Sequence, residues 1–167
     1  MLFRSANLYA ATAAGLAAVS GPRHGGLTRL VRELFDGLKE APDIEATLAM
    51  RAEHRRHLPG FGHPLYPDGD VRASTLLDMM CAALPASGEL AAALRIARAG
   101  EALTNQKPNI DFATVTLERA LGLPEDSALA LFLLGRTAGW IAHALEQAAH
   151  GSLIRPRARY TGPSPQE

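Results

Sequence analysis

The segment Leu27-Thr28-Arg29-Leu30-Val31-Arg32-Glu33-Leu34-Phe35-Asp36-Gly37-Leu38 decides the fold class. Its apolar residues Leu27, Leu30, Val31, Leu34, Phe35 and Leu38 recur at i, i+3, i+4 and i+7, the spacing that gathers one buried face of an α-helix. Outward from it the same periodicity returns and strand alternation does not. Gly37 and Pro42 end this helix, and Asp43 is placed to cap another running to about Arg56. Asp70 can cap a helix whose stripe holds Ala73, Leu76, Leu77, Met80, Cys81 and Leu84, closed by Pro85. Ser87 opens a helix to about Thr104, a further helix follows Asp111 as far as Gly122-Leu123-Pro124, and a long one runs from near Asp126 to Gly151. Three prolines from Pro156 onward leave the tail without regular structure. The chain reads as all-α, with no internal repeat.

At 167 residues the chain suits one domain, and its 47% hydrophobic content is enough for a core. Aromatics make up only 5%, so that core rests on Ala, Leu, Ile and Val. Seventeen basic residues balance seventeen acidic ones, which removes the electrostatic reason to expect nucleic acid or an anionic membrane. A single cysteine, Cys81, excludes an internal disulfide and fits a reducing, cytoplasmic setting; its place on the helical stripe makes it a buried small hydrophobe rather than a nucleophile. Residues Ala6 to Val19, after Arg4, loosely resemble an export signal, and Ala128 to Leu145 are largely apolar. Alanine makes a weak apolar region, and a central arginine such as Arg136 costs about 2.5–3.5 kcal/mol on insertion. Both segments read as buried helices of a soluble protein.

Three stretches break the helical pattern: Ser20 to Gly26, Leu58 to Asp70, and Asn105 to Asp111. Each carries a candidate acid–base residue among glycines or prolines, respectively His24, His63 and Asp111. Loops between rigid helices are where catalytic groups gather. Two imidazoles and a carboxylate suit carbon-acid chemistry: a base removes a proton beside a carbonyl, one donor stabilises the enolate, and another polarises an electrophilic carbonyl. Taken singly, a histidine among glycines reads as a solvated loop residue and Asp111 as a helix N-cap. The other histidines suggest no metal. His54 and His57 share a basic helix end without a third ligand, His143 and His150 stand too far apart to share an ion, and solvated helix ends with a packed His143 account for them.

The local strings add more. Gly21-Pro22-Arg23-His24-Gly25-Gly26, Gly60-Phe61-Gly62-His63 and Pro108-Asn109-Ile110-Asp111-Phe112 occur in this order. They are followed by Leu133-Leu134-Gly135-Arg136-Thr137-Ala138-Gly139-Trp140-Ile141-Ala142-His143 and by Ile154-Arg155-Pro156-Arg157. Together, over about Ala6 to Gly162, they resemble the C-terminal part of the citrate synthase family. The resemblance implies a multi-helical fold with a large-domain helix over residues 1–24, a small, CoA-side domain over 25–113, and a return to the large domain over 114–167. It implies a Claisen-like condensation of acetyl-CoA or propionyl-CoA with oxaloacetate, followed by thioester hydrolysis. By that resemblance His24 hydrogen-bonds the thioester oxygen, Asp111 takes the methyl proton, and His63 polarises the ketone. Arg72, Arg136 and Arg155 match carboxylate-binding arginines, with Arg155 reaching into a partner subunit's site and so implying a homodimer. Lys107 is the nearby cation for a CoA phosphate. No permanently bound cofactor is implied, CoA species being substrate and product.

Arg136 also carries a physical expectation of its own. It lies on the stripe Leu129, Phe132, Leu133, Trp140 and Ala144, and a guanidinium buried there needs a fixed anion, either a substrate carboxylate or an internal Asp or Glu. Arg72 alone would read as solvated, and Arg155 as part of a solvated basic cluster with Arg157 and Arg159. The chain departs from the family pattern at Thr28, Pro64, Pro67 and Val71, which bears on CoA affinity. Family members are also commonly more than twice this long. The chain therefore reads as a fragment, and the alternative function is a non-catalytic ligand-binding or assembly fragment of the same fold.

Overall fold

The computed structural model describes residues 6–19, 25–39, 41–53, 58–151, 159 and 161–162. Among them run seven helices: α1 (Leu8–Val19), α2 (Gly25–Lys39), α3 (Ile44–Glu53), α4 (Val71–Ala83), α5 (Gly88–Thr104), α6 (Ile110–Ala120) and α7 (Ser127–His150). The described residues contain no strand beyond one isolated bridge, so the all-α expectation holds.

The caps read from the sequence form where they are expected. Asp43 Oδ1 accepts the Ala46 amide at 3.0 Å, Asp70 Oδ1 the Arg72 amide at 3.1 Å, and Ser87 Oγ the Leu90 amide at 3.2 Å. Each satisfies a helix N–H that would otherwise lack a partner.

Helix α6 is the axis of the core and packs against α2, α4, α5 and α7. Phe112, Ala113, Val115 and Thr116 on it are wholly enclosed. The α2 stripe supplies Val31, Leu34, Phe35 and Leu38, α3 adds Leu48, and α5 adds Ala93 and Ile96. Phe112 sits between Phe35 and Phe61, with ring centroids 5.0 and 5.3 Å away and tilted geometries that suit aromatic quadrupoles. Gly100 of α5 faces the Phe61 ring so closely that a β-carbon there would collide with it. That gap lets the loop before α4 seat its anchor in the core.

A charged layer closes one side. Arg32 of α2 holds Glu118 of α6 through two hydrogen bonds of 3.0 and 3.2 Å, and Glu118 also accepts the Ala128 amide at 2.8 Å. Glu118 thus does for α7 what Asp126 does not: Asp126 precedes that helix in a left-handed conformation and makes no side-chain cap.

Three expectations are corrected. Cys81 is exposed, because α4 buries Ala73 and Met80 against α6 and Cys81 falls off that face. His143 is exposed and paired with Glu146 at 3.0 Å, rather than packed. Neither α1 nor α7 is a buried helix. They pack on each other, yet α1 buries no residue and α7 only Ala128 and Ala144, leaving Leu134 72% and Tyr9 85% exposed. Nothing in the described chain covers their outer faces. Among the described residues α7 is long and apolar enough to cross a membrane by length and composition alone.

The buried Arg32–Glu118 pair and the exposed Arg29–Glu33 pair make a direct comparison. Glu118→Ala leaves Arg32 only the exposed carboxylates of Glu125 and Asp126, and is expected to cost about 3 kcal/mol in denaturant unfolding. Glu33→Ala is expected to cost below about 1 kcal/mol. Equal losses would contradict the burial argument.

Candidate active site

Two breaks in the helical pattern lie stitched side by side. The Gly62 amide donates to the Lys107 carbonyl at 2.9 Å, the Asn109 amide to the Gly60 carbonyl at 2.8 Å, and Phe61 bridges Pro108. Gly62, just before His63, has φ +71°, and a β-carbon there would meet Gln106 Oε1 at 2.6 Å. The positive φ favours glycine, and a β-carbon would also push the Gln106 side chain aside.

The buried Asn109 side chain completes the seam. Its Oδ1 accepts the Asp111 and Phe112 amides at 3.1 and 3.3 Å, and its Nδ2 donates to the Gly62 carbonyl at 2.9 Å. Asn109, not Asp111, is therefore the N-cap of α6. Asp111 is the second residue of the helix, a half-buried carboxylate in its first turn, where the peptide dipoles favour negative charge.

His63 is oriented from its own loop. Nδ1 accepts the Leu65 amide at 3.1 Å, which places the ring hydrogen on Nε2 and makes that nitrogen a donor. The ring lies 4.9 Å from Tyr66 at 45°. The Arg72 guanidinium also lies over the Tyr66 ring, 4.9 Å from its centroid, so one phenol ring touches both residues.

Arg72 is held again at its edge. Nε and Nη2 donate to the two Asp70 carboxylate oxygens at 2.9 and 2.8 Å. Asp70 additionally accepts the Ile110 amide at 3.0 Å, joining the start of α4 to the start of α6. Burial alone would raise the Asp70 carboxyl, but the Arg72 hydrogen bonds and charge, with the Ile110 and Arg72 amides, bring it below the usual carboxylate value. The hydrogen bonding to Asp70 raises the Arg72 guanidinium, against its own burial, and the nearby Asp111 carboxylate contributes to the rise.

A cleft of about 630 Å³ opens beside this frame, lined by His63, Tyr66, Thr104, Asn105, Gln106 and Lys107 among others. Lys107 also borders a smaller hollow of about 270 Å³ with Asp70, Ser74 and Glu101, its side chain lying across Gly69. His63 and Lys107 thus line one cleft, while Arg72 and Asp111 join the frame through Tyr66 and Asp70 without lining it. Arg136 stands apart on α7, exposed, its guanidinium close to Gly139. The expectation of a buried Arg136 is corrected: Leu129, Phe132, Leu133 and Trp140 on its stripe are half-buried and Ala144 is buried, while Arg136 itself is exposed. His24, Arg155, His54 and His57 lie outside the described residues.

The sequence reading missed Asn109 and Tyr66. Asparagine's strong preference for the N-cap position was a signal for the first; for Tyr66, three residues after His63, there was none. Among the described residues no group of three or more His, Cys, Asp or Glu could hold a metal ion.

Residues 4–157 match the family model of the citrate synthase C-terminal domain. The chain belongs to the citrate synthase family. It is 34% identical over 164 residues to "Citrate synthase 2" of Bacillus subtilis, covering 96% of this chain and 44% of that relative. The solved citrate synthase of Thermotoga maritima superposes with a TM-score of 0.78 at 30% identity, over 97% of this chain and 46% of that one. The citrate synthase of the archaeon Thermoplasma acidophilum, solved as a ternary complex with carboxymethyl coenzyme A and oxaloacetate, gives 0.76 at 29% identity, over 96% and 45%. The chain therefore spans less than half the length of these citrate synthases.

A pH profile checks the Asp70 assignment. With a depressed native value, Asp70 contributes stability that is complete above about pH 3.9, the unfolded value, and is lost as pH falls through the native one. Asp70→Asn should flatten that part of the acid limb in denaturant unfolding followed against pH. A limb as steep as that of the unaltered chain would contradict it.

Proposed function

We propose that this chain carries the condensing side of a citrate synthase-type site, acting on an acyl-CoA, acetyl-CoA or propionyl-CoA, and oxaloacetate. The observation that carries the reading is the shared frame: Asn109 and Asp70 tie the His63 loop, Arg72 and the start of the Asp111 helix together.

In this reading Asp111 removes a proton from the α-carbon of the acyl thioester. The C–H electron pair moves into the carbon–carbon bond of an enolate, whose oxygen is stabilised by His24. The Nε2–H of His63 donates to the ketone oxygen of oxaloacetate and polarises it. The enolate carbon attacks the ketone carbon, forming a carbon–carbon bond, and the new alkoxide takes up a proton. Water then cleaves the thioester, releasing citrate, or its 2-methyl homologue, and free CoA thiol. Arg72, Arg136 and Arg155 bind the oxaloacetate carboxylates, Lys107 meets a CoA phosphate, and CoA is substrate and product rather than a resident cofactor. A homodimer, with Arg155 serving the partner subunit's site, and a cytoplasmic location complete the proposal, as does the division into 1–24, 25–113 and 114–167.

A second reading keeps the family fold without the condensation. It is a ligand-binding or assembly fragment of the fold that does not turn over. Calorimetry with oxaloacetate and a thiol-release assay with acetyl-CoA separate the two. Thiol release dependent on oxaloacetate supports condensation, and binding without release supports the fragment.

Where release is seen, Asp111→Ala should lower turnover by roughly 10²-fold or more, the scale of a lost general base. Unchanged turnover would remove the condensation reading.

A further inference from the structure

Asp70 stands out among the buried groups that the mechanism does not use. Its side chain is 1% exposed, and its two oxygens accept four hydrogen bonds from two different elements. An N-cap needs one such bond. The remaining three go to the Arg72 guanidinium and the Ile110 amide, that is, to the proposed carboxylate-binding arginine and to the residue before the proposed base.

The geometry of the arginine gives this arrangement a purpose. A guanidinium has two forks of paired N–H groups, one along Nε and one at its end. Asp70 occupies the Nε–Nη2 fork, leaving the end fork, with Nη1 and the second hydrogen of Nη2, outside the pair. Tyr66 lies against the face of the same group. Edge and face are both fixed, so the end fork has a set direction. Asp111 is near enough for its charge to act on Arg72.

We propose that Asp70 is a positioning residue that holds the end fork of Arg72 ready for a substrate carboxylate. Through the Ile110 amide the same carboxylate sets the start of the base's helix against the arginine. The proposal rests on the reading of Arg72 as an oxaloacetate ligand.

The test uses the full chain and its Asp70→Asn, Arg72→Gln and doubly substituted forms, with oxaloacetate titrated by calorimetry. In parallel the Arg72 Nε–H and Ile110 amide signals are followed by nitrogen-15 NMR. Asp70→Asn should weaken oxaloacetate binding roughly tenfold, the scale of one hydrogen bond to a charged group. The double variant should bind no more weakly than Arg72→Gln alone, because Asp70 acts through Arg72. Both NMR signals should move upfield in Asp70→Asn.

Additive losses, or unchanged oxaloacetate affinity in a folded Asp70→Asn chain, overturn the proposal. Should Asp70→Asn not fold, Asp70→Glu keeps the charge but displaces the carboxylate by one methylene. Weakened binding in that form supports the proposal, and unaltered binding overturns it. Absence of oxaloacetate binding by the unaltered chain sinks the condensation reading instead. The NMR signals then still decide whether Asp70 holds Arg72 and Ile110: a shift supports that role and none removes it.

Discussion

A single seam of hydrogen bonds, centred on the buried Asn109 side chain, sets the geometry of the cleft-bearing loops and of the start of α6. Loops 58–69 and 105–109 have no helix of their own, so their peptide groups need partners elsewhere. They find them in each other: Gly62 to Lys107, Asn109 to Gly60, and the Asn109 amide to the Gly62 carbonyl. The same asparagine caps α6, whose Phe112 is locked between Phe35 and Phe61. Core packing and loop geometry are thereby one construction, and a shift of the His63 loop would drag the Phe61 anchor and the start of α6 with it.

Around that seam the ionic groups divide by what they hold. Arg32 and Glu118 fasten α2, α6 and the start of α7, far in role from any ligand, while Arg119 joins Asp36 and Glu89 on the same flank. Asp70 and Arg72 fasten α4 to α6 beside the cleft. Buried ion pairs contribute little net stability, since desolvation offsets much of the attraction. Their worth lies in fixing direction, which matters most for Arg72, held by Asp70 at one edge and by Tyr66 on one face.

Much of this architecture was legible in the sequence, and the limits have physical reasons. The α2 stripe announces itself because Leu27 to Leu38 obeys one period along one face, and Asp43, Asp70 and Ser87 announce the caps because capping is a local interaction. The reach of Asp70 to the Ile110 amide, forty positions along, is not local, and no spacing rule encodes it. Gly100 likewise gives no sign that a phenylalanine ring will lie against it. Cys81 and Arg136 were misplaced for a shared reason: a stripe says which residues share a helix side, not how far round that side a neighbouring element reaches. On α4 only Ala73 and Met80 are fully buried, and on α7 only Ala128 and Ala144. The five ordered motifs pointed to the citrate synthase family, and the family match over residues 4–157 agrees.

The central proposal is that His63 and Asp111, carried by one stitched frame, serve a single reaction centre once both substrates are bound. A crystal structure of this chain with oxaloacetate and carboxymethyl coenzyme A tests it most directly. The account predicts His63 Nε2 at about 3 Å from the ketone oxygen, with the Asp111 carboxylate facing the carbon that stands in for the acetyl methyl. Ligands bound elsewhere, or the two side chains directed to separate sites, would contradict it.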